Sequence, residues 1–159
     1  MSVVLDLAQR AAVERWVRDI WLSGDPTEAD PEQLAAHAHW LARSRRLLLA
    51  IDAAPGAPAI ITERYPCLLL LMASREANEH FAQRGHGSKE QRVAWREIAS
   101  QLEGELFPVA GFACMVELHD LAVRSLATIR RDDPCRTAIA HVEAEVGRFV
   151  ADVEAAPAP

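Results

Sequence analysis

Lysine is almost missing from this chain: Lys89 is the only one, and arginine supplies every other strong base. Glycine is scarce beside abundant alanine, leucine, glutamate and arginine, a balance that favours helix over strand. The same skew points to a GC-rich, bacterial coding sequence. Cysteine is limited to Cys67, Cys114 and Cys135. Their odd number, wide spacing and lack of any CxxC exclude a disulfide scaffold and a zinc knuckle. Cys67 and Cys114 lie inside apolar runs, where a thiol acts as a small hydrophobe. Long apolar runs are missing too. Cys67–Ala73 is far too short to span a bilayer. The N-terminus has no basic leader region, and Asp6 interrupts its apolar run, so a cytoplasmic protein without a signal peptide is expected. Positive charge is also in deficit, with a formal net charge of −6. Phosphate neutralisation needs a basic face, so nucleic acid is not expected as the partner. The strongest basic run, Arg43, Arg45 and Arg46, reads as the solvated flank of a helix.

A chain of 159 residues fits one domain, here residues 1–154, with a disordered Ala/Pro tail at 155–159. A compact chain of this size buries roughly 70% of its unfolded surface and needs no covalent staple. Apolar spacing predicts a first helix over about 4–22, with Leu5, Ala8, Ala12 and Trp16 on one stripe and Val13, Val17, Ile20 and Trp21 on another. Arg10, Glu14, Arg15 and Arg18 take the opposite side. Asp30 and Pro31 signal the start of a second helix, ending near Ala54. Leu34, Ala38, Leu41, Leu48 and Ile51 mark its buried face, with His37 among them. A third helix, capped by Thr62, carries Pro66 in its first turn and runs to Arg84, where Gly85-His86-Gly87 breaks it. Ser88 and Gln91 form a capping box for a fourth. Gly104 and Pro108 favour a tight turn before a fifth, over a single kinked helix. Asp133-Pro134 opens a sixth, with Ala138, His141, Val142, Val146, Phe149 and Val153 on one side. Ala59–Thr62 is too short to count as a strand. The expected fold is all-α, an up-and-down bundle of five to six helices.

Two segments share a plan. Pro66–Phe81 and Pro108–Asp120 both begin apolar and turn abruptly polar. In an up-and-down bundle the third and fifth helices run parallel. Glu76 lies ten residues after Pro66 and Glu117 nine after Pro108, so the polar ends are expected at one height. Glu76, His80, Glu117 and His119 then form a candidate acid/base set at the end of an apolar pocket. His37, Leu69, Met72, Phe112 and Val116 would contact the ligand. The first functional expectation is therefore a protein that binds an apolar or amphipathic small molecule, with acid/base chemistry at the pocket end. The alternative is a non-catalytic interaction module, such as an accessory subunit or an immunity or antitoxin-like inhibitor, whose acidity suits a basic target. Exposed apolar surface would also suit a homodimer. A second alternative is a zinc, iron or manganese site on the same four residues. Their spacing departs from the paired Glu-x-x-His of di-iron bundles, and HExxH is absent, so no cofactor is the first expectation.

Overall fold

The computed structural model describes residues 2–22, 31–52, 56–85, 87–133 and 135–155, and of 32–33, 35–36, 106–114 and 153 the backbone alone. The described residues are predominantly helical with one small two-stranded sheet, so the all-α class holds. Its elements run β1 (Val3–Leu5), α1 (Leu7–Trp16) continued by a π-helical turn (Val17–Trp21), α2 (Pro31–Ile51), β2 (Ala59–Ile61), α3 (Arg64–Arg84), α4 (Lys89–Thr128) and α5 (Arg136–Ala155).

The first correction is at the N-terminus. Asp6 and Gln9 form a capping box, so helix begins at Leu7 and the residues before it are extended. Leu5 fits the period of a strand as well as that of a helix. Val3 and Leu5 point inward and Val4 outward, and β1 pairs antiparallel with β2, Val4 opposite Ile60. The segment dismissed as too short for a strand is thus β2. Three residues suffice because Ala59 and Ile61 are buried against the core.

The expected starts hold at Pro31 and at Ser88, whose capping box with Gln91 is present. Asp30, His86, Pro134 and the tail from 156 lie outside the described residues. α2 ends at Ile51, short of Ala54. Glu63, not Thr62, precedes the first turn of α3 without a side-chain cap, and Gly85 closes the helix at a φ of 62°.

α4 is helical from Lys89 to Thr128, so the loop expected at Pro108 does not form. The helix is nevertheless not straight. Asn78 donates to the Trp95 carbonyl at 3.2 Å, and Ser125 Oγ reaches Met72 Sδ at 3.9 Å. Met72 and Asn78 are about 9 Å apart along α3, whereas a straight helix would separate Trp95 from Ser125 by about 45 Å. α4 therefore doubles back within the stretch that holds Gly104, Pro108 and Gly111. A proline has no N–H to offer the carbonyl four residues before it, the usual origin of a sharp bend in a helix. The second arm runs beside α3 in the same direction and packs against α5. Arg136 closes its end by donating to the Leu126 and Ile129 carbonyls.

The core is one cluster. It joins Val3, Leu5 and Ile61 of the ribbon, Val13, Trp16 and Trp21, Leu47 and Ile51, the Cys67–Ala73 run, Trp95, Ile98 and Leu102, and Leu121 and Ile139. On α5 the expected face holds at Ala138, Val142 and Val146, but His141 and Phe149 are exposed. On α2 the buried stripe is Trp40, Arg43, Ser44, Leu47 and Ile51. Leu34 and Ala38 are exposed, and His37, Leu41 and Leu48 are half-buried. No described helix is long and apolar enough to cross a membrane.

Candidate functional site

The parallel arrangement behind the expected site exists, but its register does not. Arg64 faces Glu117 and Met72 faces Ser125, each pair 53 residues apart in sequence. Level with Glu117 stands Arg64, so Glu76 lies twelve residues further along α3, about 18 Å away. The two prolines are not at one height, because the bend in α4 falls inside a continuous helix and Pro108 does not start one. The four residues accordingly find other partners. Glu117 forms an exposed ion pair with Arg64. His119, half-buried, lies 3.3 Å from Glu143 of α5. His80 packs edge-on against Trp16 and Phe81. Leu69 and Met72 are sealed in the core, Val116 and His37 are half-buried, and the Phe112 side chain lies outside the described residues.

Glu76 is the residue around which polar groups do converge. Its side chain has no exposure, and neither of its oxygens is unpaired. Arg43 Nη2 donates to Oε1 at 3.1 Å. The indole N–H groups of Trp16 and Trp21 both donate to Oε2, at 3.3 and 2.6 Å. In an ordinary α-helix residues five apart point about 140° away from each other, because each residue turns the helix by about 100°. The π-helical turn at Val17–Trp21 closes i to i+5 bonds, seen at Leu22 N–H to Val17 O, and so puts Trp16 and Trp21 on one side. That local irregularity aims two indoles at one carboxylate oxygen.

Arg43 enters from α2, also fully buried, with its guanidinium carbon 3.8 Å from the Trp21 ring centroid and 3.9 Å from that of Trp40. Both contacts are cation–π in geometry. Burial pulls the Arg43 pKa down from its ordinary value, and the Glu76 carboxylate opposes it. Nη1 lies 3.4 Å from Ser125 Oγ, which lies 3.4 Å from His39 Nε2. Burial, then the charges of Arg43 and Arg124, lower the His39 pKa to about 4. A neutral His39 can accept the Ser125 proton, giving a polar line from Glu76 through Arg43 and Ser125 to His39. Nε of Arg43 is buried and has no hydrogen-bond partner among the described residues. Cys135 stands nearby, its thiol pushed well up by burial, then by the charges of Glu76 and Asp133. A thiol so placed is not a nucleophile at neutral pH.

This arrangement has the parts of an ion-pair lock. Ser125 next to a neutral histidine has the residue types of a nucleophile and base, but Ser125 is wholly buried and both of its polar contacts are long. Among the described residues no group of three or more His, Cys, Asp or Glu side chains is placed to hold a metal ion.

Sequence reasoning placed Arg43 on a solvated flank, which holds for Arg45 and Arg46 but not for Arg43 itself. The available signal was the stripe Trp40, Arg43/Ser44, Leu47 and Ile51, as regular as the leucine stripe preferred over it. Tryptophan was a second signal, since a buried indole N–H needs an acceptor.

No protein-family model, no curated protein and no solved structure matches the chain.

Proposed function

We propose that this protein is a non-catalytic interaction module that docks another protein on its two-stranded ribbon. The observation that carries this reading is the outward pair Val4 and Ile60. They are cross-strand neighbours, and they leave 45% and 62% of their surface exposed while the inward side of the ribbon is sealed. Leu7, also exposed, lies two residues past the end of β1. A single exposed apolar side chain means little, but adjacent ones on a rigid element mark a contact surface. The ribbon is held on three sides. Gln101 of α4 accepts from the Val4 N–H and donates to the Val4 carbonyl. Arg10, itself buried, donates to the Ala57 carbonyl ahead of β2 and pairs with Asp52 and Glu14. The capping box at Asp6 fixes the exit from β1.

Small-molecule chemistry at Glu76, His80, Glu117 and His119 is the weaker reading, because those residues do not share a site. The buried ion pair supports a rigid scaffold: it joins α1, α2 and α3 with both charged side chains out of solvent.

The test is position-specific photo-crosslinking in the cells of origin. A photoreactive residue at position 60 is expected to trap one protein. The same residue at Arg131, exposed on the loop between α4 and α5, should not trap it. Equal adducts at both positions, or none at position 60, overturn the proposal.

A further inference from the structure

His39 sits where α2 meets the second arm of α4, and its neighbours favour one protonation state. Its Nε2 lies 3.4 Å from Ser125 Oγ. Arg43 Nη1, which can only donate, lies 3.4 Å from the same oxygen. Ser125 has one proton to give, and a neutral His39 is an acceptor for it. A protonated His39 is a donor, so Ser125 would then meet two donors, with the Met72 sulfur, 3.9 Å away, left to take its proton. The charges around His39 act the same way. Arg43 on its own helix and Arg124 on α4 are cations that oppose a third. Glu76 of α3 is committed to Arg43 and two indoles. Tyr65 of α3 and Cys135 ahead of α5 stand near Arg43, a phenol and a thiol that carry no charge in acid. Asp133 is turned to the Cys135 N–H. The Arg46–Glu63 pair beside β2 lies about two turns further along α2.

Among the described residues, the first part of α2 has few other holds on the bundle. Leu34 and Ala38 are exposed, and His37 and Leu41 are half-buried. Ser44 is buried but spends its hydroxyl on the Trp40 carbonyl of its own helix. The docked side chains are Trp40 and Arg43, and both are tied to His39. The Trp40 ring faces the Arg43 guanidinium and meets the His39 ring edge-on, 5.6 Å between centroids. Full apolar burial resumes at Leu47 and Ile51. We infer that acid releases the first part of α2, up to Ser44, with a proton on His39 as the trigger and Leu47 and Ile51 as the end that stays docked. Burial and the two arginines lower the pKa of the docked His39 from 6.5 to about 4. The released segment takes up a proton that the docked one refuses, so release becomes more favourable as pH falls through 6.5 towards 4. At neutral pH the Arg43–Glu76 pair keeps the segment closed. In acid Arg43 leaves with the segment, which bares the Trp21 ring and the Glu76 carboxylate.

The experiment is hydrogen exchange of the whole protein between pH 7 and 4.5, read by mass spectrometry and corrected for the intrinsic exchange rate at each pH. The opening constant of amides 37–44 should rise by about tenfold or more. Those of amides 47–51 and of α5 should stay within about threefold, since segments of one fold open independently. His39→Gln, neutral at every pH, should abolish the rise at 37–44. Arg124→Gln relieves one of the two repulsions from an exposed position and should reduce it. His39 is half-buried and Arg124 exposed, so both variants should fold, and parental protection of α5 at pH 7 checks this. The proposal is overturned if amides 37–44 do not respond to acid, or if the rise persists in His39→Gln. It is also overturned if 37–44 and α5 open together, because acid then loosens the whole bundle and α2 is no separate segment.

Discussion

Glu76 and Ile60 stand at opposite extremes of exposure. The charged residue is 1% exposed and the large apolar one 62%. Around Glu76 three donors from two helices close on one carboxylate, and an arginine lies against two indole faces. Around Ile60 the backbone of the ribbon is held in place, and apolar surface is left in water. A buried charge holds its place only when every neighbour has been arranged to receive it. An exposed isoleucine on a fixed strand contributes little to folding, so it is free to serve contact with something else. The difference separates what holds the bundle together from what it presents.

The most severe way to test that separation is to neutralise the lock. Glu76→Gln removes the charge and leaves Arg43 buried without compensation, a loss of about 3–5 kcal/mol for a broken buried pair. Urea denaturation measures it. Glutamine still offers the indoles an acceptor, so most of the loss belongs to Arg43. Arg43→Met made in the Glu76→Gln background should then restore part of the stability. If the double variant loses as much as the two single variants added together, the pair is not coupled and Glu76 is merely a poorly tolerated site.

A smaller effect is expected from Trp21→Phe. It deletes the 2.6 Å bond to Glu76 but keeps most of the aromatic contact with Arg43. Hydrogen bonds to charged groups contribute about 1.5–3 kcal/mol, and the loss should fall in that range in thermal or urea unfolding. Trp16→Phe, at 3.3 Å, should cost less. Equal costs would mean that the π-helical turn does not favour one indole over the other.

His39 gives a pH test of the outer end of the cluster. Its pKa is lowered from 6.5 to about 4 in the folded protein. As pH falls through 6.5 the unfolded chain takes up a proton that the folded chain refuses. Stability therefore declines between pH 6.5 and 4, and the penalty is complete below both values. His39→Gln should flatten the pH 6.5–5 part of the stability profile, above the range where carboxylates dominate. An unchanged slope would show that burial and the charges of Arg43 and Arg124 do not hold His39 neutral.

How much of this was legible in the residues differs between the two regions. Helix content, the caps at Ser88 and Gly85 and the apolar Cys67–Ala73 run follow local rules, and they hold. The register of the second arm of α4 does not follow local rules. It depends on where a helix containing Gly104, Pro108 and Gly111 bends, and residue spacing alone offered Pro108 as a start. That single assumption moved Glu117 about 18 Å from its place and assembled a site that does not exist. Arg43 was missed for another reason. Two stripes on α2 compete, and the one rich in leucine was preferred although Leu34 is exposed. The ribbon was missed because three-residue strands carry almost no periodic signal. Only their pairing across more than fifty residues makes them strands.

The smallest effect on stability is expected where the largest effect on binding is. Ile60→Lys and Val4→Thr alter outward side chains on a ribbon whose backbone contacts remain, so each should stay within about 0.5 kcal/mol of the parent. Thermal unfolding checks this directly. Val4→Thr keeps a β-branched side chain and the two backbone bonds to Gln101, and so preserves the strand. If either substitution cost several kcal/mol, the outward face would be part of the core's support, and its exposed apolar surface would no longer argue for a partner. A near-neutral result for Val4→Thr together with its loss of the crosslink at position 60 would leave a surface that folding does not need and binding does.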